Sequence, residues 1–232
     1  MDRLRLFRRH WHDIGLVPAL LAAAYLLLCW NDIDVLQRLV ILNFIIVLLH
    51  QFEEYSWPAG FPAVANLVFM PLAGMSRYFK PLNQLSSAVA NVTFAYVFYL
   101  LPVFFPHTIW LGLATVLVGA ALQVIGHAIV VNYQLRSLYS PGVATAVFGW
   151  LPLGVIYIYY VQTHGLAGVW VWLAAIVYMA VAMALVFYVI EQRLLGGENP
   201  SYPFEDDEME RFGIGEKLET ARRIREGKNR AP

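Results

Sequence analysis

The chain has 232 residues, 59% hydrophobic and 15% aromatic, with 14% charged and a formal net charge of zero. A soluble domain carries about a quarter charged residues, so the composition excludes an ordinary soluble globular protein and gives no support to nucleic-acid binding. The single cysteine, Cys29, excludes an internal disulfide or a metal site built from cysteines, and it reads as a small apolar side chain in a membrane helix.

Several apolar runs reach the roughly 20 residues needed to cross a bilayer, which predicts an all-α, polytopic membrane helix bundle with six spans. Residues 1–13 form a basic leader containing Arg3, Arg5, Arg8 and Arg9. It is not a secretory signal, because the apolar run behind it is too long and lacks a small-residue cleavage site. Asp13 is expected to cap a first helix over 14–30, which tolerates Pro18 in its first turns. An acidic loop with Asp32 and Asp34 leads to a second helix over 35–55, with Arg38 near its start reaching for the interface. Residues 56–81 are broken by Pro58, Gly60, Pro62, Pro71 and Gly74 and are followed at their end by Arg77 and Lys80. They are expected to form a re-entrant or interfacial segment between helices 2 and 3, because the apolar part is too short to span.

Four further spans are read over 84–105, 108–134, 142–161 and 166–192. Gly119 and Gly126 permit close helix contact in the fourth span, and Pro152 predicts a kink in the fifth. The transmembrane domain is therefore 14–193. Residues 194–232 are a charged tail, expected to be partly disordered, with an acidic run at 205–210 and a charged, potentially helical end; nothing in it names a protein partner. With six spans, the basic leader, Arg77, Lys80, Arg136 and the tail fall on one side. The positive-inside rule predicts that both termini are cytoplasmic.

The chemistry concentrates at His50-Gln51-Phe52-Glu53-Glu54, at the end of a run of Ile, Leu, Val and Phe. On a helix, i+3 and i+4 spacing carries Glu53 and Glu54 one turn along from His50. Charged groups inside a membrane helix are costly, about 2.5–3.5 kcal/mol at its centre, and rarely persist without a partner or a role. The six-span topology places other polar groups toward the same side: Asn43 two turns before His50, Asn91, Gln123, His127, Asn132, Tyr188 and Glu191. Imidazole and carboxylate suit Zn²⁺, Fe²⁺ or Mn²⁺. The expected ligands are His50, Glu54 and His127, with Glu53 as the general base for water activated by the ion; the two Glu roles are exchangeable at this stage. His10 and His12 belong to the leader and His107 and His164 to turns on the opposite face, where surface roles are expected. Two readings without metal compete: an acid–base isomerase or cyclase, and a proton-coupled transporter using the same groups. A third places Glu53 and Glu54 in the headgroup zone facing Arg77, Lys80 or Arg136.

The motif His50-Gln51-Phe52-Glu53-Glu54, followed by Gly60-Phe61-Pro62, His127 and Tyr139-Ser140-Pro141-Gly142, resembles the HXXEE-domain membrane proteins over residues 20–195. The resemblance implies a bacterial-type integral membrane protein, hence an inner-membrane location, in a family named for its motif and not for a known activity. It supports His50, Glu53, Glu54 and His127 as the site and supplies no reaction. The leading expectation is a metal-dependent membrane enzyme acting on an apolar or lipid-like substrate. Because the polar groups cluster on one side, transport is the second choice; a scaffold whose tail recruits a partner is the third.

Overall fold

A computed structural model describes residues 3–69, 81–197 and 200–227, and these are helical and free of strands. Six helices are long and apolar enough to cross a membrane, consistent with an integral membrane protein: α1 (Leu4–Leu28), α2 (Val35–Tyr55), α4 (Gln84–Phe104), α5 (Ile109–Leu135), α6 (Thr145–Thr163) and α7 (Val169–Leu194). A short helix, α3, occupies residues 61–69 between the second and third spans. Nine residues rise about 14 Å as an α-helix, so α3 cannot cross; Pro71, Gly74, Arg77 and Lys80 lie outside the described residues.

The spans begin and end within a few residues of their sequence-based limits, except the first. α1 starts at the leader: Arg3–Ile14 and Leu16–Leu28 run on through Gly15, whose amide donates to the Trp11 carbonyl and whose carbonyl accepts from Ala19. Asp13 therefore lies inside a helix instead of capping one, beside His10 at 2.8 Å and His12 at 3.2 Å. The cap that the sequence does supply is Asp34, which accepts from the Gln37 amide and starts α2.

α2 is the centre of the bundle. It packs on α1, α4, α5 and α6, and 56% of its apolar window is buried, against 11% for α7 at the periphery. Within lipid, apolar burial brings no transfer gain, so the arrangement rests on close packing and internal polar contacts. Asn43 supplies one such contact in mid-bundle: its amide donates to Thr115 Oγ1 at 2.8 Å, and its carbonyl accepts from Trp150 Nε1 at 2.8 Å. Gly119 supplies the close approach, since a Cβ there would lie 2.4 Å from the Trp150 ring. Gly126 meets Phe69 only at ordinary contact distance.

Several spans widen into π-helical turns: Phe94–Tyr99 in α4, Val118–Gln123 and Ile125–Val131 in α5, Thr145–Trp150 in α6 and Ala184–Leu194 in α7. Pro152, where a kink is expected, follows directly on the passage from the π-turn of α6 to regular helix at Leu151. Such turns recur at functional sites because the extra residue re-aims the side chains that follow.

The segment read as a charged tail folds back on the bundle. α8 (Asp206–Glu210) and α9 (Ile214–Arg225) follow the last span. Ile214 and Leu218 are buried with Val64 and Val68 of α3 and with Val131 and Leu135 of α5. Arg5 and Arg9 of the leader reach Glu205 at 2.8 and 2.6 Å, and Arg9 also reaches Asp207 at 2.6 Å. Arg211 donates to the carbonyls of Tyr55 and Ser56, placing a cation on the orphan carbonyls at the end of α2. Leu218→Asp buries a carboxylate in this apolar contact and is expected to weaken the docking of α9 by about 3 kcal/mol. New tryptic cleavage after Arg222 and Arg223, with the spans still protected, is the measurement that checks it.

Candidate metal centre

α2 delivers the central motif as regular helix, and that geometry separates the two carboxylates. Glu54, four residues after His50, stays on its face and turns toward α5; Glu53, three residues on, turns toward the start of α6. All three side chains are buried, with His50, Glu53 and Glu54 at 2%, 6% and 4% exposure. This burial speaks against the headgroup reading, and among the described residues neither carboxylate pairs with Lys or Arg; Arg77 and Lys80, two of the three cations named for that reading, lie outside the described residues.

His50, Glu54 and His127 converge. The Nε2 atoms of His50 and His127 lie 3.3 and 3.2 Å from the same Glu54 Oε1, and the three ligand atoms fall within 4.8 Å of one another. Neither contact has hydrogen-bond alignment, and neither ring nitrogen of His127 has a hydrogen-bond partner among the described residues. The two rings are packed edge to face with centroids 4.9 Å apart, and Trp150 covers His50 at 4.6 Å. This buried group can hold a metal ion.

Glu53 does something other than wait as a free base. Its Oε1 accepts from Tyr139 Oη at 2.8 Å and the Ala144 amide at 2.9 Å; its Oε2 accepts from the Thr145 amide at 2.8 Å and Thr145 Oγ1 at 2.6 Å. It thus satisfies orphan amides at the N-terminus of α6, where a negative charge also complements the helix dipole. With its lone pairs occupied, Glu53 fits the role of a fastener, and the general-base role expected for it has no geometric support. Burial and the Glu53 carboxylate push the Tyr139 phenol above its ordinary range, so it remains a donor.

The same contact assigns a tautomer. The Thr145 hydroxyl has one proton, committed to Glu53 in the 2.6 Å charge-assisted bond. The 2.8 Å contact between His50 Nδ1 and Thr145 Oγ1 is then an Nδ1–H donation. In the neutral imidazole this leaves the lone pair on Nε2, facing Glu54. Two imidazole nitrogens facing one carboxylate oxygen need a proton or a cation in each contact, and a single ion bound to all three atoms would serve both.

The remaining sequence-based candidates divide. Asn91, Gln123 and Glu191 line a largely apolar cavity of about 300 Å³ beside His50 and Glu54. The Asn91 backbone carbonyl also accepts from Gln51 Nε2 at 3.0 Å. Asn43 stands behind the site and fixes Trp150. Asn132 and Tyr188 are elsewhere. Asn132 donates to the Leu138 carbonyl to close a loop. Tyr188 is 38% exposed and receives Arg193 at 2.6 Å. Both were placed by depth along their helices, which does not say which way a side chain turns; Tyr188 and Glu191 lie within one π-helical stretch and face different surroundings.

Sequence reasoning missed Thr145 and Trp150, and it took Tyr139 and Gly142 as part of the family motif without giving them a place at the site. The Gly142 backbone has φ +95°, and a Cβ would lie 2.5 Å from His127 Cε1 and 2.8 Å from His50 Cε1. The Ser-Pro-Gly turn was the available signal: a glycine there can adopt the left-handed region and let two rings meet. Gly142→Ala is expected to cost more than about 2 kcal/mol, whereas Gly215→Ala, with only a Leu67 atom at 3.9 Å, is expected to be neutral or slightly stabilising. Thermal unfolding in detergent compares the two. Glu53→Gln turns an amide NH₂ toward donors and is expected to lose about 2–3 kcal/mol in the same assay; unchanged stability would contradict the fastening role.

No curated protein and no solved structure matches the chain. A family model described as "Protein of unknown function with HXXEE motif" matches residues 41–157, a stretch that takes in His50, Glu53, Glu54, His127, Gly142 and Trp150. The chain belongs to the HXXEE family.

Proposed function

We propose that this protein is a membrane-embedded, metal-dependent enzyme that acts on an apolar or lipid-like substrate, with His50, Glu54 and His127 as the metal ligands. The observation that carries the reading is the approach of two buried Nε2 atoms to one carboxylate oxygen at 3.2 and 3.3 Å without hydrogen-bond alignment. Ligands on a tetrahedral zinc ion, bonded at about 2.0–2.1 Å, stand about 3.3 Å apart. Three protein ligands leave a coordination position open, as catalytic sites do and closed structural sites do not. A divalent ion there supplies a Lewis acid to an oxygen-bearing group of the substrate.

The chain's own residues do the rest. Thr145, anchored on Glu53, holds His50 in the tautomer that leaves Nε2 available, the usual task of a group behind a metal-binding histidine. Trp150, fixed by Asn43, packs on the His50 ring. Val47, Phe61, Phe69 and Phe94 give the neighbouring cavity apolar walls. The leader, Arg136 and the tail favour the cytoplasmic side for both termini by the positive-inside rule, which sets the site toward the cytoplasmic leaflet of, for a bacterial protein, the inner membrane.

Protein purified without chelator or histidine tag is expected to carry about one equivalent of zinc, iron or manganese by elemental mass spectrometry. His50→Ala and His127→Ala should each abolish it, and Thr145→Val should weaken it about 10–100-fold. Metal-free wild type with an intact fold would overturn the metal centre and favour the proton-coupled or acid–base reading of the same residues.

A further inference from the structure

The cavity beside the centre contains a carboxylate that none of these contacts uses. Glu191, on the π-helical end of α7, is 5% exposed and lines the cavity with His50 and Glu54. Among the described residues its side chain accepts no hydrogen bond and pairs with no cation, unlike Glu53 with four donors and Glu54 between two imidazoles. A buried carboxylate with neither kind of partner is costly, and inside a membrane bundle such a group marks a ligand path or site. Around it the walls are mainly aromatic and aliphatic, including Phe94 and Phe187. No Lys or Arg stands among the described lining residues, so at the Glu191 end of the cavity, away from the metal ligands, an anionic headgroup would meet a carboxylate and no described side-chain cation.

We infer that Glu191 is the recognition residue for the polar head of the substrate, and that the ligand is an apolar chain ending in a hydrogen-bond donor, a long-chain alcohol or amine and not a carboxylic acid. The inference rests on the reading of this cavity as a substrate site, and it names the substrate class. An O–H or N–H head placed on Glu191 completes the unpartnered carboxylate while the chain lies against the phenylalanines. A volume of about 300 Å³ sits at the small end of ligand pockets, which suits a single chain or the head-bearing end of one.

The test uses the full chain in maltoside detergent, irradiated with a diazirine-bearing long-chain alcohol, the matching amine or the matching carboxylic acid, with adducts mapped by mass spectrometry. The alcohol or the amine should label the segments carrying Phe61, Phe94 and Phe187, in competition with the same compound lacking the diazirine. Glu191→Leu should reduce that labelling about tenfold, with thermal unfolding and metal content as in wild type. Glu191→Gln keeps an acceptor oxygen and should recover part of it, and it serves as the reading if the leucine variant does not fold. Acid labelling equal to that of the alcohol and amine, or labelling unaffected by either substitution, would overturn the inference. Glu191-dependent labelling of metal-free wild type would uphold recognition by Glu191 and sink the metal centre alone.

Discussion

Two adjacent carboxylates at the buried end of α2 must be satisfied by the protein itself, because neither reaches the surface. The structure meets this requirement in two directions. Glu53 takes the free amides at the start of α6, together with two hydroxyls, and so ties α2 to α6. Glu54 turns toward α5, where His127 joins His50 around one oxygen. The first carboxylate builds the scaffold and the second faces two imidazoles, although they are neighbours in sequence and identical in type.

That division depends on backbone shape as much as on side chains. Inside lipid, apolar contacts scarcely discriminate one helix rotation from another, so polar anchors and close approaches fix the rotations. Asn43 holds Trp150, Gly119 lets the Trp150 ring close on α5, and Gly142 lets both imidazoles pack against the turn before α6. The π-turns of α5 and α7 then set which of their polar residues look inward. His127 and Glu191 do; Asn132 and Tyr188 do not.

The leader and tail enter the same network from outside the spans. Arg5 and Arg9 hold Glu205 and Asp207, Arg211 sits on the last carbonyls of α2, and Ile214 and Leu218 press on α3. Since α3 provides Phe61, Ala65 and Phe69 to the cavity, the position of one cavity wall rests on contacts made by the charged end of the chain. Arg211 also offsets the unfavourable placement of two acidic residues at a helix C-terminus.

The sequence by itself determined the six spans, because length and apolar composition are local properties that lipid reads directly, and it determined that His50, Glu53 and Glu54 lie together, because helical spacing alone brings them within one turn. His127 was legible as a second imidazole at matching depth, which follows from topology. Only the tertiary structure decided that Glu54 and not Glu53 meets the histidines, that Thr145 and Gly142 belong to the site, and that Glu191 faces the cavity while Tyr188 turns away. Those outcomes depend on the rotation of each helix about its own axis. Rotation is set by contacts between residues far apart in the chain and by π-turns that leave no periodic trace in an almost uniformly apolar sequence. The packed tail escaped for the opposite reason: its charged composition signals solvent, while the few apolar residues that dock it, Ile214, Leu218 and Ala221, become a face only once the helix is formed.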